Sequence, residues 1–182
     1  MTLDRAVKLG HNTLMTLTIR KAEAQDASLI LQFIRELAEY ERLAHEVDAT
    51  TDDLSAALLG PRPRVFADIA EWNGEPAGFA LWFYNFSTFR GRHGIYLEDL
   101  FVRSAFRSKG IGKALLQNLA RRCVTEGLAR LEWWVLDWNE PALRFYRSIG
   151  AVPMDEWTVQ RVTGEALRSL ANGSAPAAGP SL

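Results

Sequence analysis

The chain predicts one α/β (α+β) domain, on three observations. Its 182 residues, 48% hydrophobic and 24% charged, suffice for a globular domain with a sizeable core. Its apolar periodicity switches between two-residue alternation, as in Leu17–Ala22, and helical spacing, as at Leu29, Ile30, Phe33, Leu37 and Tyr40. The stretch Tyr96–Gly112, YLEDLFVRSAFRSKGIG, passes from an apolar strand through a short connection into a Gly-rich turn. An amphipathic run to about Val124 follows, which makes a strand–loop–helix unit.

Residues 1–15 are expected to be a disordered leader, or to precede a start at Met15, with the domain over 16–171 and a disordered tail over 172–182, where NGSAPAAGPSL is low in complexity. A strand from Leu17 leads into a helix over Gln25–Arg42, with Asp26 as its N-cap. Thr50–Leu59 reads as a second helix, stopped by Gly60-Pro61-Arg62-Pro63. Val65–Trp72 and Ala77–Phe86 read as strands joined by an Asn73-Gly74 hairpin turn, and Ser87–His93 as a polar loop before the central strand. The helix after the Gly-rich turn buries Ile111, Leu115, Leu119 and Cys123, turns Arg121, Arg122 and Glu126 to water, and stops at Gly127. Leu131–Leu136, LEWWVL, reads as a strand covered on both faces. Asn139 caps the next helix, which has Pro141 in its first turn and ends at Gly150. A last strand or strand-like stretch over Val152–Val162 and a short helix over Gly164–Ala171 complete the domain.

A formal net charge of −1 leaves no electrostatic footprint for nucleic acid or an anionic membrane, and no nearby run spans a bilayer. The single Cys123 excludes an internal disulfide, and no Cys/His cluster has metal-site spacing, so no metal is expected and a cytoplasmic setting fits.

Two features carry chemistry. In Arg107–Gly112, RSKGIG, the missing Cβ atoms of Gly110 and Gly112 let a bulky anion approach the first helical turn. There the unpaired N–H groups and the positive end of the dipole favour negative charge. The sequence is neither a dinucleotide fingerprint nor a P-loop; it suits a diphosphate held without a required metal. Glu98 and Asp99 interrupt the apolar strand and are expected to point to opposite faces. Such carboxylates are costly to bury unless paired, exposed or functional.

RSKGIG after that strand resembles the acetyl-CoA signature of the GNAT acyltransferases. YLEDLFV, VLDWNEPALRFYRSIGA and ELAEYERL resemble its spermidine/spermine (diamine) and thialysine acetyltransferase branch, over roughly Leu17–Leu170. The resemblance implies the GNAT fold, a mixed central sheet of about six or seven strands flanked by helices, and a homodimer. It implies an acetyl-CoA site made by Leu100, Phe101 and Val102 on the strand, by Arg107, Ser108, Lys109, Gly110, Ile111, Gly112 and Lys113 in the turn, and by Asn139. It places Tyr40, Glu41, Glu98, Asp99 and Ser87 at the amine site. Ser87-Thr88-Phe89 is similar to the thialysine branch, whereas some polyamine-acetylating relatives carry an acidic residue at Ser87; a short, lysine-like amine is favoured over spermine.

The implied reaction is direct attack of a primary amine on acetyl-CoA. An alkylamine of pKa about 10.4 is about 0.04% neutral at pH 7, so presenting the free base costs roughly 4–5 kcal/mol. Glu98 is the expected proton acceptor, directly or through a water. Backbone N–H groups near Leu100 and Val102 are the implied oxyanion donors, and Tyr146 stands at the position of the family's general acid. Two other readings stay open on the residues alone: a non-catalytic acyl-CoA-binding module, and an acetyltransferase for a peptide or antibiotic amine.

Overall fold

The structure is a computed structural model and describes residues 3–7 and 15–174. It divides the expected single domain into two compact units, Met1–Trp134 and Val135–Leu182. Among the described residues the first unit holds six strands: β1 (Leu3–Val7), β2 (Met15–Lys21), β3 (Phe66–Trp72), β4 (Glu75–Ser87), β5 (Arg92–Val102) and β6 (Leu131–Trp133). They pair in sequence order in one sheet. Every pairing is antiparallel except β5 with β6, which is parallel. Three helices accompany them: α1 (Ala27–Glu41), α2 (Thr51–Leu59) and α3 (Ile111–Thr125).

β1 corrects the expectation of a disordered leader over 1–15. Leu3–Val7 pairs antiparallel with Met15–Ile19, so the outer edge of β2 acquires the ladder partners that an exposed strand edge lacks. Met15 opens β2, and the remainder of the leader lies outside the described residues. α1 starts two residues later than expected, and Asp26 does not cap it through its side chain. The Asp26 carboxylate instead accepts from the Glu23 N–H at 2.7 Å and pairs with Arg20 at 2.6 Å. Thr50 does cap α2 in a reciprocal box with Asp53. Asn73 (φ 54°) and Gly74 (φ 82°) make the tight β3–β4 hairpin.

The core lies between one face of the sheet and α1–α2. Ile30 and Phe33 of α1 and Leu58 of α2 pack on Ala67, Ile69, Phe79, Leu81 and Phe101, with Phe33 stacked on Phe79 at 5.3 Å. Each such fully buried side chain stabilises the fold by about 1.5–3 kcal/mol. The opposite face carries α3. Arg122 does not point wholly to water as expected: its guanidinium lies over the Trp82 ring at 4.9 Å, while the Trp82 indole N–H donates to the buried Asp68 carboxylate at 3.0 Å.

β6 is three residues long and half-buried, not the fully covered six-residue strand expected from LEWWVL. It pairs with β5 only at Ile95–Leu97, and Trp134 beyond it is exposed. In the second unit, α4 (Glu140–Ser148) and α5 (Gly164–Ala171) form as expected. The strand expected over Val152–Val162 does not: Pro153 removes a ladder donor and Asp155–Glu156 form a turn, leaving the stretch irregular. Asn172–Ser174 close the end of α5 by backbone bonds such as Ser174 N–H to Ser169 C=O at 2.9 Å. The rest of the expected tail is outside the described residues.

Candidate active site

A β-bulge sets the geometry of the site. Across β4 and β5, Leu81 pairs with Asp99 but Trp82 pairs with Leu97, so Glu98 is the extra residue. Residues directly opposite in a ladder share a face. Leu97 therefore lies with Trp82 on the face toward α3, whereas Asp99 and Phe101 lie with Leu81 and Phe79 on the face toward α1. Without the extra residue, Leu97 and Asp99 would share one face. This corrects the expectation that Glu98 and Asp99 simply alternate: the bulge breaks the alternation and brings Asp99 round to the end of α1.

The bulge also lies where β5 loses its strand partner on the other side. β6 stops after pairing with Leu97, and among the described residues no strand pairs with that edge of β5 from Glu98 to Val102. The edge backbone groups expected to serve as oxyanion donors, near Leu100 and Val102, lie on this stretch.

Three carboxylates gather there. Glu98 is exposed, while Asp99 and Glu41 are half-buried. Burial and the nearby negative charges of Glu98 and Glu41 push the Asp99 carboxyl up to about 7. Burial also raises Glu41. Tyr40, beside Glu41, is 38% exposed at the end of α1. Sequence reasoning gave the proton-accepting role to Glu98. It did not announce the bulge, which no local pattern signals.

The Gly-rich turn follows β5. After a short 3-10 turn at Ser104–Phe106, Ser108 (φ 62°) and Gly110 (φ 79°) take left-handed backbone conformations, and α3 begins at Ile111. The first bond of α3 runs from the Ala114 N–H to the Gly110 carbonyl at 2.9 Å. The N–H groups of Ile111, Gly112 and Lys113 thus precede the helical ladder. A Cβ on Gly110 would meet nothing within 4 Å, and one on Gly112 only Val102 Cγ2 at 3.8 Å. Internal packing does not require glycine at Gly112; an anion seated on the first helical turn does, so the residues present fit a diphosphate. Arg107 and Lys109 are held by rings as well as by position. The Arg107 guanidinium lies 4.8 Å from the Tyr40 ring centroid, and its Nε donates to the Val102 carbonyl at 3.0 Å. Lys109 Nζ lies 5.3 Å from the Trp72 ring and 5.8 Å from that of Phe106.

Arg103 ties these parts together and escaped sequence reasoning. It is the residue after β5, and its guanidinium binds Glu36 of α1 through Nε at 2.9 Å and Nη2 at 2.8 Å. It also donates to the Pro76 carbonyl at 3.0 Å and covers the Phe33 ring at 4.6 Å. Ser87, by contrast, is buried at the end of β4 opposite Arg92. Six residue steps along β5 separate Arg92 from Glu98, roughly 20 Å at about 3.3 Å each, so within the chain the structure does not bring Ser87 to these carboxylates.

In the second unit, Asn139 accepts from the Ala142 N–H at 3.4 Å and caps α4, whose first turn carries Pro141. Tyr146 is half-buried on α4 with its ring 5.5 Å from that of Phe145. Among the described residues no group of three or more His, Cys, Asp or Glu side chains is arranged to hold a metal ion. Also among them, no helix is long and apolar enough to cross a membrane.

The acetyltransferase (GNAT) family profile matches residues 28–151, which include the bulge, the turn, Asn139 and Tyr146. The chain belongs to the GNAT acetyltransferase family. This acetyltransferase is 38% identical over 164 residues to the thialysine N-epsilon-acetyltransferase of Bos taurus, covering 84% of this chain and 96% of that one. It is 31% identical over 214 residues to the L-ornithine N5-acetyltransferase NATA1 of Arabidopsis thaliana, covering 93% of each. Among solved structures, an integron cassette protein from the mobile metagenome of V. cholerae superimposes with a TM-score of 0.71 at 29% identity, covering 85% of this chain and 97% of that one.

Proposed function

We propose that this acetyltransferase moves the acetyl group of acetyl-CoA onto the primary amine of a small lysine-like or polyamine-like substrate by direct attack, with Asp99 as the proton acceptor. The observation that carries this reading is the raised carboxyl of Asp99, at about 7, set among Glu98 and Glu41 beside an unpaired strand edge. The resemblance to enzymes named for thialysine and ornithine, each with a primary amine on its side chain, supports the lysine-like acceptor.

Residues that fit the diphosphate are Ile111, Gly112 and Lys113 through their backbone N–H groups, with Gly110 and Ser108 shaping the turn. Leu100, Phe101 and Val102 offer backbone along the strand edge, and Asn139 is the remaining candidate. When bound, acetyl-CoA supplies a thioester whose carbonyl carbon is the electrophile. Glu98 and Glu41 draw the incoming ammonium by charge. Asp99 takes one proton from it, the freed nitrogen lone pair forms the new C–N bond as the C–S bond breaks, and the surplus N–H proton of the acylated nitrogen passes to the departing sulfur, replacing any proton that Tyr146 lends it. A carboxylate of pKa about 4.3 faces a deficit of roughly 8 kcal/mol against an ammonium of about 10.4, whereas one near 7 faces roughly 5. That narrower gap favours Asp99 as the acceptor. Amides on the Glu98–Val102 edge donate to the developing oxyanion, and the Tyr146 phenol supplies a proton or a hydrogen bond to the leaving thiolate. A homodimer and a cytoplasmic setting complete the reading, the first supported by family resemblance and the second by the single, buried Cys123.

The test is release of free thiol from acetyl-CoA with a panel of lysine, thialysine, ornithine, putrescine, spermidine and an aminoglycoside. Amine-dependent release, fastest with the lysine-like members, is expected. Release confined to the aminoglycoside, or coenzyme binding with no amine-dependent release, contradicts the reading.

A further inference from the structure

Arg107 sits in the turn that suits a diphosphate, yet its side chain is directed elsewhere. The guanidinium Nε donates to the carbonyl of Val102, the last residue of β5, at 3.0 Å. The guanidinium carbon lies over the Tyr40 ring, 4.8 Å from its centroid. The arm therefore runs back along the strand toward α1. Tyr40 is at the end of that helix, beyond the part its apolar side chains bury: Ile30 and Phe33 belong to the core cluster and Ile34 and Leu37 pack against it, whereas Tyr40 is 38% exposed. The helix stops just after it, at Arg42, whose φ of 64° closes the cap with the Leu43 N–H bonded to the Ala38 carbonyl at 2.8 Å. Glu41 lies between ring and cap, near enough for its charge to act on Asp99.

From this geometry we infer that Arg107 is a positioning residue for the acceptor side of the site: by bridging the Val102 carbonyl and the Tyr40 ring, it fixes the end of α1, and with it Glu41, against the carboxylates of β5. The diphosphate is then left to backbone amides and to the lysines of the turn. A planar guanidinium can use its edge for the carbonyl and its face for the ring at once, which an ammonium cannot. The inference rests on the proposed amine-acetylating reading for its kinetic consequences, but not for its structural one.

Three single variants test it: Arg107→Ala, Arg107→Lys and Tyr40→Leu, with the double variant Arg107→Ala/Tyr40→Leu. Arg107 and Tyr40 are exposed, and circular dichroism checks that each variant folds. Loss of one exposed cation–π contact and one hydrogen bond predicts a rise in amine KM of roughly 3- to 10-fold. Arg107→Ala and Tyr40→Leu are both expected to show it, with the calorimetric Kd for CoA changed less than about two-fold. Arg107→Lys is expected to behave like Arg107→Ala, and the double variant to be no worse than either single one. Hydrogen exchange of the amides over 38–43 is expected to quicken in Arg107→Ala and Tyr40→Leu. A weakening of CoA binding by ten-fold or more at unchanged amine KM overturns the inference, as do additive effects in the double variant. If the wild type shows no amine-dependent turnover, the proposed function fails on its own. The exchange measurement still decides this point, unchanged exchange over 38–43 in Arg107→Ala being the refuting result.

Discussion

Replacing Asp99 with Asn removes a carboxyl that the fold holds at about 7, through burial and the neighbouring charges of Glu98 and Glu41. In the unfolded chain the same group titrates near its ordinary value of 3.8. Below that value both states are protonated and the group imposes no penalty. As pH rises toward 7 the unfolded chain loses the proton first, so native stability falls; above about 7 both states are ionised and the penalty is constant. The shift from 3.8 to about 7 corresponds to about 4 kcal/mol when complete, of which roughly 2–3 kcal/mol develops between pH 5 and pH 8. Denaturant unfolding of wild type and Asp99→Asn at both pH values reads this directly. The variant is expected to gain roughly 2–3 kcal/mol relative to wild type on going from pH 5 to pH 8. In kinetics the same group is expected to give kcat/KM an acidic limb centred near 7, and Asp99→Asn to lower the rate by about 100-fold or more while erasing that limb. A stability difference independent of pH, together with an unchanged limb, refutes the assignment.

Other outcomes follow from the same structure. Gly112→Ala is expected to leave the fold as stable or up to about 1 kcal/mol more stable, since helical alanine outranks glycine. It is also expected to weaken CoA binding, and a thermal shift with CoA equal to that of wild type contradicts the anion-seat reading. Gly110→Asp is expected to lose that shift through both a forced positive φ and charge repulsion. Tyr146→Phe is expected to lower kcat by roughly 10- to 100-fold with CoA affinity unchanged, and near-normal turnover rejects the acid role. Arg103→Ala breaks a half-buried bidentate pair with Glu36 and is expected to cost roughly 1–3 kcal/mol in denaturant unfolding, a loss under about 0.5 kcal/mol being the contrary result.

Local chemistry made much of this fold legible. The Asn73-Gly74 hairpin, the breaker after Leu59 and the apolar stripe of α3 are written in neighbouring residues, and all appear as expected. The same holds for the Gly-rich turn, whose left-handed Gly110 opens α3. What stayed hidden is decided by pairing between distant segments. The bulge at Glu98 depends on register against β4, and it alone brings Asp99 to the face where Glu41 ends α1. β6 is short because its ladder with β5 ends at Leu97, although LEWWVL reads as a longer strand. Arg103 went unnoticed and Arg107 was read only as a coenzyme-site cation, because their partners, Glu36 and Tyr40, are more than sixty positions away in the chain. Ser87 was drawn to the site by similarity to relatives, yet the antiparallel hairpin carries it to the far end of β5.

The central claim is that amides at the start of α3 seat the diphosphate of acetyl-CoA so that its thioester comes to the β5 edge beside Asp99. A crystal structure with CoA and a lysine-like amine measures this most directly. The account predicts phosphate oxygens within hydrogen-bond distance of the Ile111, Gly112 and Lys113 N–H groups, and the coenzyme sulfur beside the Glu98–Val102 edge with the amine nitrogen near the Asp99 carboxylate. A diphosphate bound away from that helical turn, or an amine nitrogen far from Asp99, contradicts it.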